Sequence, residues 1–388
     1  MKDIGVYVHI PFCEKKCYYC DFLSYSDKSY LVSEYIKWIK HEILSVAEVN
    51  YMDFQNGNDD LLNITSIYIG GGTPSYIDSK YIAEILNTIK DNFILDLCVE
   101  ITIEINPGTV SKQKLQDYIN IGINRLSIGL QTSNDIILKK IGRIHSFKDF
   151  INTFNLARQT GFKNINVDLM LGLPNQSLVD LNDSIEKVVF LKPEHISVYS
   201  LVIEENTCIE KLIKQGVLKI ADEVLERKMY WLTKDKLEQN DFIHYEISNF
   251  SLPGFESKHN IDCWNQKEYI GFGVAAHSYT NGVRFSNIDS LDLYIDNFKN
   301  NRQENNFVFH EKQKELTMMK EYMILSLRKI EGVDLLDFIN KFNVSANNVF
   351  EDSIFSLIEK NLIEQDNSRI KLTKKGIDFA NLVWREFI

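Results

Sequence analysis

Cys13-Glu14-Lys15-Lys16-Cys17-Tyr18-Tyr19-Cys20 follows directly on the apolar run Val6-Tyr7-Val8-His9-Ile10-Pro11-Phe12. Its three thiols are spaced four and then three residues apart, just beyond a stretch that predicts a strand over 4–10. Thiolates are soft ligands, and thiols this dense in a chain of 388 residues suit a metal better than a disulfide framework. A closed zinc site wants four ligands, yet the next Cys or His after Cys20 is His41. A cubane iron–sulfur cluster takes three thiolates and leaves its fourth iron open to another molecule. Spacing alone leaves a zinc knuckle, unligated thiols and such a cluster as alternatives.

The rest of the composition narrows the class. A chain of 388 residues exceeds what one core usually supports, so two domains are the default. Hydrophobic residues make up 44% and charged residues 25%, an ordinary globular balance. No run approaches eighteen consecutive apolar residues, so no membrane span is predicted. The first strand begins almost at Met1, leaving no room for a targeting peptide, and a cytoplasmic location is expected. A net charge of −11 disfavours nucleic acid as a partner. Of the other cysteines, 98, 208 and 263 are scattered, and Cys98, within an apolar run, is expected in the core.

Strand and helix alternate along the first half. Strands are predicted at 4–10, 66–69, 99–105, 125–131, 164–170 and 195–201. Between them, helices are predicted at 30–43, 79–92, 111–121, 147–160 and 177–190, with an Asn/Asp/Gly-rich loop at 51–63. Such alternation argues for right-handed βαβ units and a parallel sheet, open or closed, with chemistry at the carboxyl ends of the strands. Gly70-Gly71-Gly72-Thr73-Pro74 sits at one such end, where a backbone without side chains can approach a ligand and offer it N–H groups. Glu104, Gln131 and Asp168 finish or nearly finish three others. Beyond 205 the alternation fades: a long helix at 221–239, a β-like run at 242–247, and then His259-Asn260-Ile261-Asp262-Cys263-Trp264. From 311 three helical segments lead to a short strand at 369–372, a Lys-Lys-Gly turn and a last helix. That segment carries 12 Lys/Arg against 13 Asp/Glu, which gives no basic footprint for DNA.

The CxxxCxxC spacing after a first strand resembles the radical S-adenosylmethionine (SAM) superfamily, whose three cysteines hold a [4Fe–4S] cluster that SAM chelates. The resemblance implies an α/β fold, a partial (β/α)6 barrel with a smaller, mainly helical, winged-helix-like C-terminal domain. The division expected is 1–205 for the core, 206–310 for an extension, and 311–388 for the C-terminal domain. It implies Cys13, Cys17 and Cys20 as cluster ligands. Tyr7, Tyr19, Gly71, Gly72, Thr73, Glu104, Gln131, Arg143 and Asp168 match the family's SAM contacts, and Ala276 adds an apolar one.

The surrounding HIPFC…CYYCDF resembles the branch that holds oxygen-independent coproporphyrinogen III dehydrogenases and HemW-type haem chaperones. The dehydrogenases carry a further cysteine two residues beyond the triad, where this chain has Phe22, and an N-terminal extension absent here. The chaperones carry an HNxxYW motif associated with haem. His259, Asn260 and Trp264 keep that pattern, with Cys263 in place of Tyr. The resemblance therefore implies haem as cargo, with His259 as its axial ligand or Cys263 as a thiolate alternative. The expected acceptors are haem proteins, including membrane respiratory proteins, and a homodimer is among the open assemblies. A dehydrogenase, or a radical SAM enzyme on another substrate, stands as the alternative.

Overall fold

Alternation along each strand decides the layering. In the computed structural model, which describes residues 1–57, 60–309 and 312–388, the first strand is β1 (Lys2–Ile10). Ile4, Val6, Val8 and Ile10 are buried on one face of it, towards the outer helices, while Tyr7 and His9 take the other. The pattern repeats in β2 (Leu62–Gly71), β3 (Ile94–Ile105), β4 (Arg125–Gln131), β5 (Ile165–Leu171) and β6 (His195–Ser200). These six strands are parallel and lie in chain order.

Further strands extend both edges. A hairpin, β7 (Ile243–Glu246) and β8 (Asn249–Ser251), adds antiparallel to β6. On the other side β9 (Tyr269–Phe272) pairs parallel with β1 and begins a meander of β10 (His277–Thr280), β11 (Val283–Asn287) and β12 (Phe307–Phe309). Among the described residues the (β/α)6 core is thus the centre of a twelve-stranded sheet.

The connecting helices follow from caps and apolar stripes. In helix Ser79–Asn92, Ile82, Ile85, Leu86 and Ile89 face the sheet, and the Asp78 side chain accepts from the Lys80 N–H. Helices Phe147–Thr160 and Leu178–Phe190 each begin with a capping box, Ser146 with Asp149 and Ser177 with Asp180. A second core forms from Met323, Leu327, Val333, Phe338, Leu357, Ile370, Val383 and Phe387. It packs helices around β13 (Val333–Asp334), β14 (Ile363–Gln365) and β15 (Arg369–Leu372). The backbone joins this module to the barrel: Ile247 N–H donates to Arg328 O, Ile330 N–H to Tyr245 O, and Gln313 N–H to Gly282 O. Among the described residues no helix is long and apolar enough to cross a membrane.

Three local expectations need correction. Cys98 is exposed, not core. Between Ile64↔Leu95 and Ser66↔Glu100 the β2–β3 register jumps, so residues 96–99 have no partner on β2 and Leu97 and Cys98 project to solvent. The loop expected at 51–63 is shorter, because helix Val32–Gln55 runs 24 residues. Asn50, within it, bonds Asp60 O and Leu62 N–H and so closes the turn; residues 58 and 59 lie outside those described. The Lys-Lys-Gly turn opens a short helix, Lys374–Asp378.

One buried carboxylate ties the long first helix to β9–β11. Glu42, 2% exposed, accepts from Gly273 N–H (2.9 Å), Asn287 Nδ2 (2.6 Å) and Tyr294 OH (2.5 Å). Glu42→Ala strands three buried donors, so it is expected to cost roughly 3 kcal/mol or more in urea unfolding, with Glu42→Gln costing clearly less. Equal midpoints for wild type and Glu42→Ala would refute that.

Candidate functional site

The cysteine loop is fastened on both sides. Cys13 N–H donates to Tyr25 O, Tyr25 N–H to Pro11 O, Tyr18 N–H to Ile141 O and Ile209 N–H to Tyr18 O. Lys16 Nζ closes the loop onto Phe22 O at 2.9 Å. Two thiols are joined by a line of polar side chains. Thr73 Oγ1 donates to Cys13 Sγ (3.4 Å) and accepts from Asn106 Nδ2 (2.8 Å). Asn106 Oδ1 accepts from Arg143 Nη2 (2.8 Å), and Arg143 Nη1 reaches Cys17 Sγ (3.5 Å). Burial pushes the Cys13 thiol up and the Cys20 thiol up to about 11.

The N–H groups of the glycine loop are bonded within the protein. Gly72 N–H donates to Ile10 O and Thr73 N–H to Phe12 O, both at 2.9 Å, so neither is free for a ligand. The Gly71 N–H supports the protein's own Glu104 carboxylate. Gly72 is needed for close approach, since a Cβ there would lie 2.9 Å from Phe12 O and 3.0 Å from Cys13 Sγ. The loop therefore holds the cysteine strand in place.

Cys13, Cys17 and Cys20 share one open cavity of about 430 Å³ with Tyr19, Gly71, Gly72, Thr73, Glu104, Gln131, Arg143 and Asp168. Eight of the nine expected SAM contacts thus converge with the three thiols. Tyr7 is not among the lining residues. It stacks on Tyr68 at 6.3 Å between ring centroids, and its hydroxyl lies 3.0 Å from His9 Nδ1. Ala276 packs by Gly271 on the β9–β10 bend, away from the lining. Tyr68, Asn106, Ser127, Met170 and Tyr199 also line the cavity and were missed. Tyr68, Ser127, Met170 and Tyr199 lie on the period-two inward face of strands already recognised, the one signal that finds them. Gln131 reaches the cavity through a register shift after Gly129 and a left-handed φ of 75°.

Two carboxylates face each other here. Glu104 accepts from Tyr68 OH at 3.0 Å, and burial together with the Asp168 charge pushes it up to about 8. Asp168 is also raised by burial, against bonds from Asn166 Nδ2 (2.7 Å) and Ser127 Oγ (3.1 Å).

His259 lies elsewhere. It sits in the first turn of helix Lys258–Trp264, 8% exposed, with Nδ1 2.9 Å from Ser66 Oγ and its ring 5.4 Å from that of Tyr68. It is packed against Tyr68 and does not line the cavity. The ring thus has Ser66 on its Nδ1 and Tyr68 beside it. Cys263, buried beside Asp262, is likewise absent from the cavity lining, and burial pushes its thiol up to about 12.

Residues 7–188 match the model of the radical SAM superfamily, and residues 314–379 match that of the HemN C-terminal domain. The haem chaperone HemW of Bacillus subtilis is 38% identical over 390 residues, covering 99% of each chain. HemW of Lactococcus lactis is 34% identical over 387 residues, covering 100% of this chain and 98% of that one. The chain belongs to the HemW haem chaperones of the radical SAM superfamily. In fold it is similar to coproporphyrinogen III oxidase HemN from Escherichia coli, a radical SAM enzyme, with a TM-score of 0.85 and 21% identity over 100% of this chain and 90% of that one.

Membership in the superfamily implies a [4Fe–4S] cluster and SAM, and the residues fit both. Among the described residues no three His, Cys, Asp or Glu side chains gather as a mononuclear site requires; a cubane instead takes each thiolate on a different iron. Cys13 and Cys20, raised by burial, give up protons when metal binds.

Glu104 sets a pH dependence. In the metal-free chain its folded pKa, about 8, lies above the unfolded value near 4.5, so folding binds a proton between those limits. Stability contributed by the protonated form is therefore lost as pH rises from about 4.5 towards 8, at up to roughly 1.4 kcal/mol per unit. Glu104→Gln is expected to raise the metal-free melting temperature more at pH 8 than at pH 6, by calorimetry. An equal gain at both values would contradict the assignment.

Proposed function

We propose that Cys13, Cys17 and Cys20 hold the cluster and that SAM occupies the adjoining cavity against Tyr19, Gly71, Gly72, Thr73, Glu104, Gln131, Arg143 and Asp168. The chain, on this reading, binds haem in the cytoplasm and hands it to haem proteins, membrane respiratory proteins among them. Convergence of the three thiols with eight of the nine expected contacts on one cavity is the observation that carries the cofactor assignment. Bound there, the cluster supplies one-electron chemistry towards the SAM sulfonium. The protein's part is to hold and shield. Arg143 and Thr73 donate to two of the sulfurs, Glu104 and Asp168 offer acceptors in the cavity lining, and Tyr7 stacks on Tyr68.

The division of labour follows the three segments: 1–205 for cofactors, 206–310 for the haem motif and 311–388 as the module that packs against it. Phe22, 64% exposed at the cavity rim, stands where the dehydrogenases place a further thiol, which favours the chaperone over that enzyme. A homodimer is compatible with this role. We assign His259 a positioning role and place the haem ligand elsewhere.

An anaerobic haemin titration of the cluster-loaded protein, followed by the Soret band, is expected to saturate. The His259→Ala variant should give the same haem spectrum, because a ring packed against Tyr68 is not the ligand. A lost or shifted Soret band in that variant would restore His259 as ligand, and no saturable binding at all would sink the chaperone reading. Cys17→Ser is expected to abolish cluster absorption while leaving far-UV dichroism intact.

A further inference from the structure

A line of hydrogen bonds runs from the cofactor cavity to the haem-motif helix, and its donors and acceptors are consistent along its length. Asn166 Nδ2 donates to Asp168 Oδ1 (2.7 Å) and Ser127 Oγ (2.8 Å), which leaves its Oδ1 as acceptor. That oxygen lies 2.6 Å from His195 Nδ1, so Nδ1 carries the proton. His195 is fully buried, and burial holds it well below its ordinary value, so the ring is neutral and Nε2 accepts. Tyr245 OH donates to Nε2 at 2.7 Å, and its oxygen accepts the Ser257 N–H at 3.3 Å. Ser257 is itself the cap of helix Lys258–Trp264, its side chain accepting from the Asn260 N–H.

The other cavity carboxylate reaches the same helix by a second route. Tyr68 OH donates to Glu104 while its ring packs on His259, and His259 is bonded to Ser66. Glu100 accepts the Lys258 and His259 N–H groups, both at 3.2 Å. The far end of the helix is held by the C-terminal module: Lys329 Nζ reaches Asn265 Oδ1, and Gln266 Nε2 donates to Met318 O.

We propose that His195 and Tyr245 are positioning residues that aim the Asp168 carboxylate and, through the same line, make the start of helix 258–264 respond to occupancy of the cofactor cavity. This rests on the reading that the cavity takes SAM. A ligand bonded to Asp168 takes up its lone pairs and restrains Asn166. Hydrogen bonds in series polarise and order one another, so the restraint passes to the Ser257 amide.

Amide hydrogen exchange on the full, anaerobically cluster-loaded chain tests this, with SAM as the probe. In wild type, SAM is expected to slow exchange across 257–264 by about fivefold or more. Tyr245→Phe removes only the hydroxyl, so SAM should still bind while its effect on that segment falls by about half or more, the remainder passing by way of Glu104 and Tyr68. Tyr230→Phe removes a buried hydroxyl that bonds Ile247 O, off the line, and should keep the full effect. If Tyr245→Phe does not fold, His195→Gln carries the same expectation. SAM that binds without slowing exchange in wild type, or an undiminished effect in Tyr245→Phe, overturns the proposal. Absence of SAM binding by equilibrium dialysis overturns the cofactor reading and this inference with it.

Discussion

The inner face of this barrel is polar, and that constraint shapes the rest. Strand alternation turns Ser66, Tyr68, Glu100, Glu104, Arg125, Ser127, Asn166, Asp168 and His195 inwards, while Ile, Val and Leu fill the outer face against the helices. A buried polar group left unpaired costs about as much as several apolar contacts supply, so each inward residue has to find a partner. Many of them do, within a layer or along the barrel axis, and the bonds fix side-chain directions more narrowly than apolar packing would. A cofactor cavity with aimed carboxylates is then an outcome of satisfying the interior.

This explains what could be read in the chain beforehand. The apolar halves of the strands and the Ser-x-x-Asp caps at 146 and 177 carry local signals, so helices 79–92 and 147–160 and strand 125–131 fall where the pattern puts them. Cys13, Cys17 and Cys20 are equally legible, because ligand spacing is local. Cys98 is not, since its exposure comes from a register jump between two strands that hydropathy does not record. The role of the glycine loop was also hidden: which carbonyl takes the Gly72 N–H depends on how β1 continues past its last ladder bond. Tyr7 resembles a contact residue in sequence, yet in the structure its strand neighbour Tyr68 lines the cavity and Tyr7 stacks on that ring.

The His-Asn-x-x-Cys-Trp segment shows how far a motif can be separated from the role its residues suggest. Its His is drawn inwards by Ser66 and Tyr68, whereas its Trp points the other way, into the seam with the C-terminal module. There Trp264 and Trp384 both lie against the Arg328 guanidinium, at 4.4 and 5.1 Å from the ring centroids, and Ser326 Oγ reaches Trp264 O. Such cation–π contacts are each worth about 0.5–2 kcal/mol, and they sit beside the backbone bridge between Glu246 and Lys329. A seven-residue helix is too short to be stable alone, so its position is dictated by what holds its two ends. One end is held by groups that continue to the cavity carboxylates, the other by the module at the edge of the sheet. A residue set kept for such a double attachment carries the geometry of the surrounding parts, whether or not any member of it touches haem.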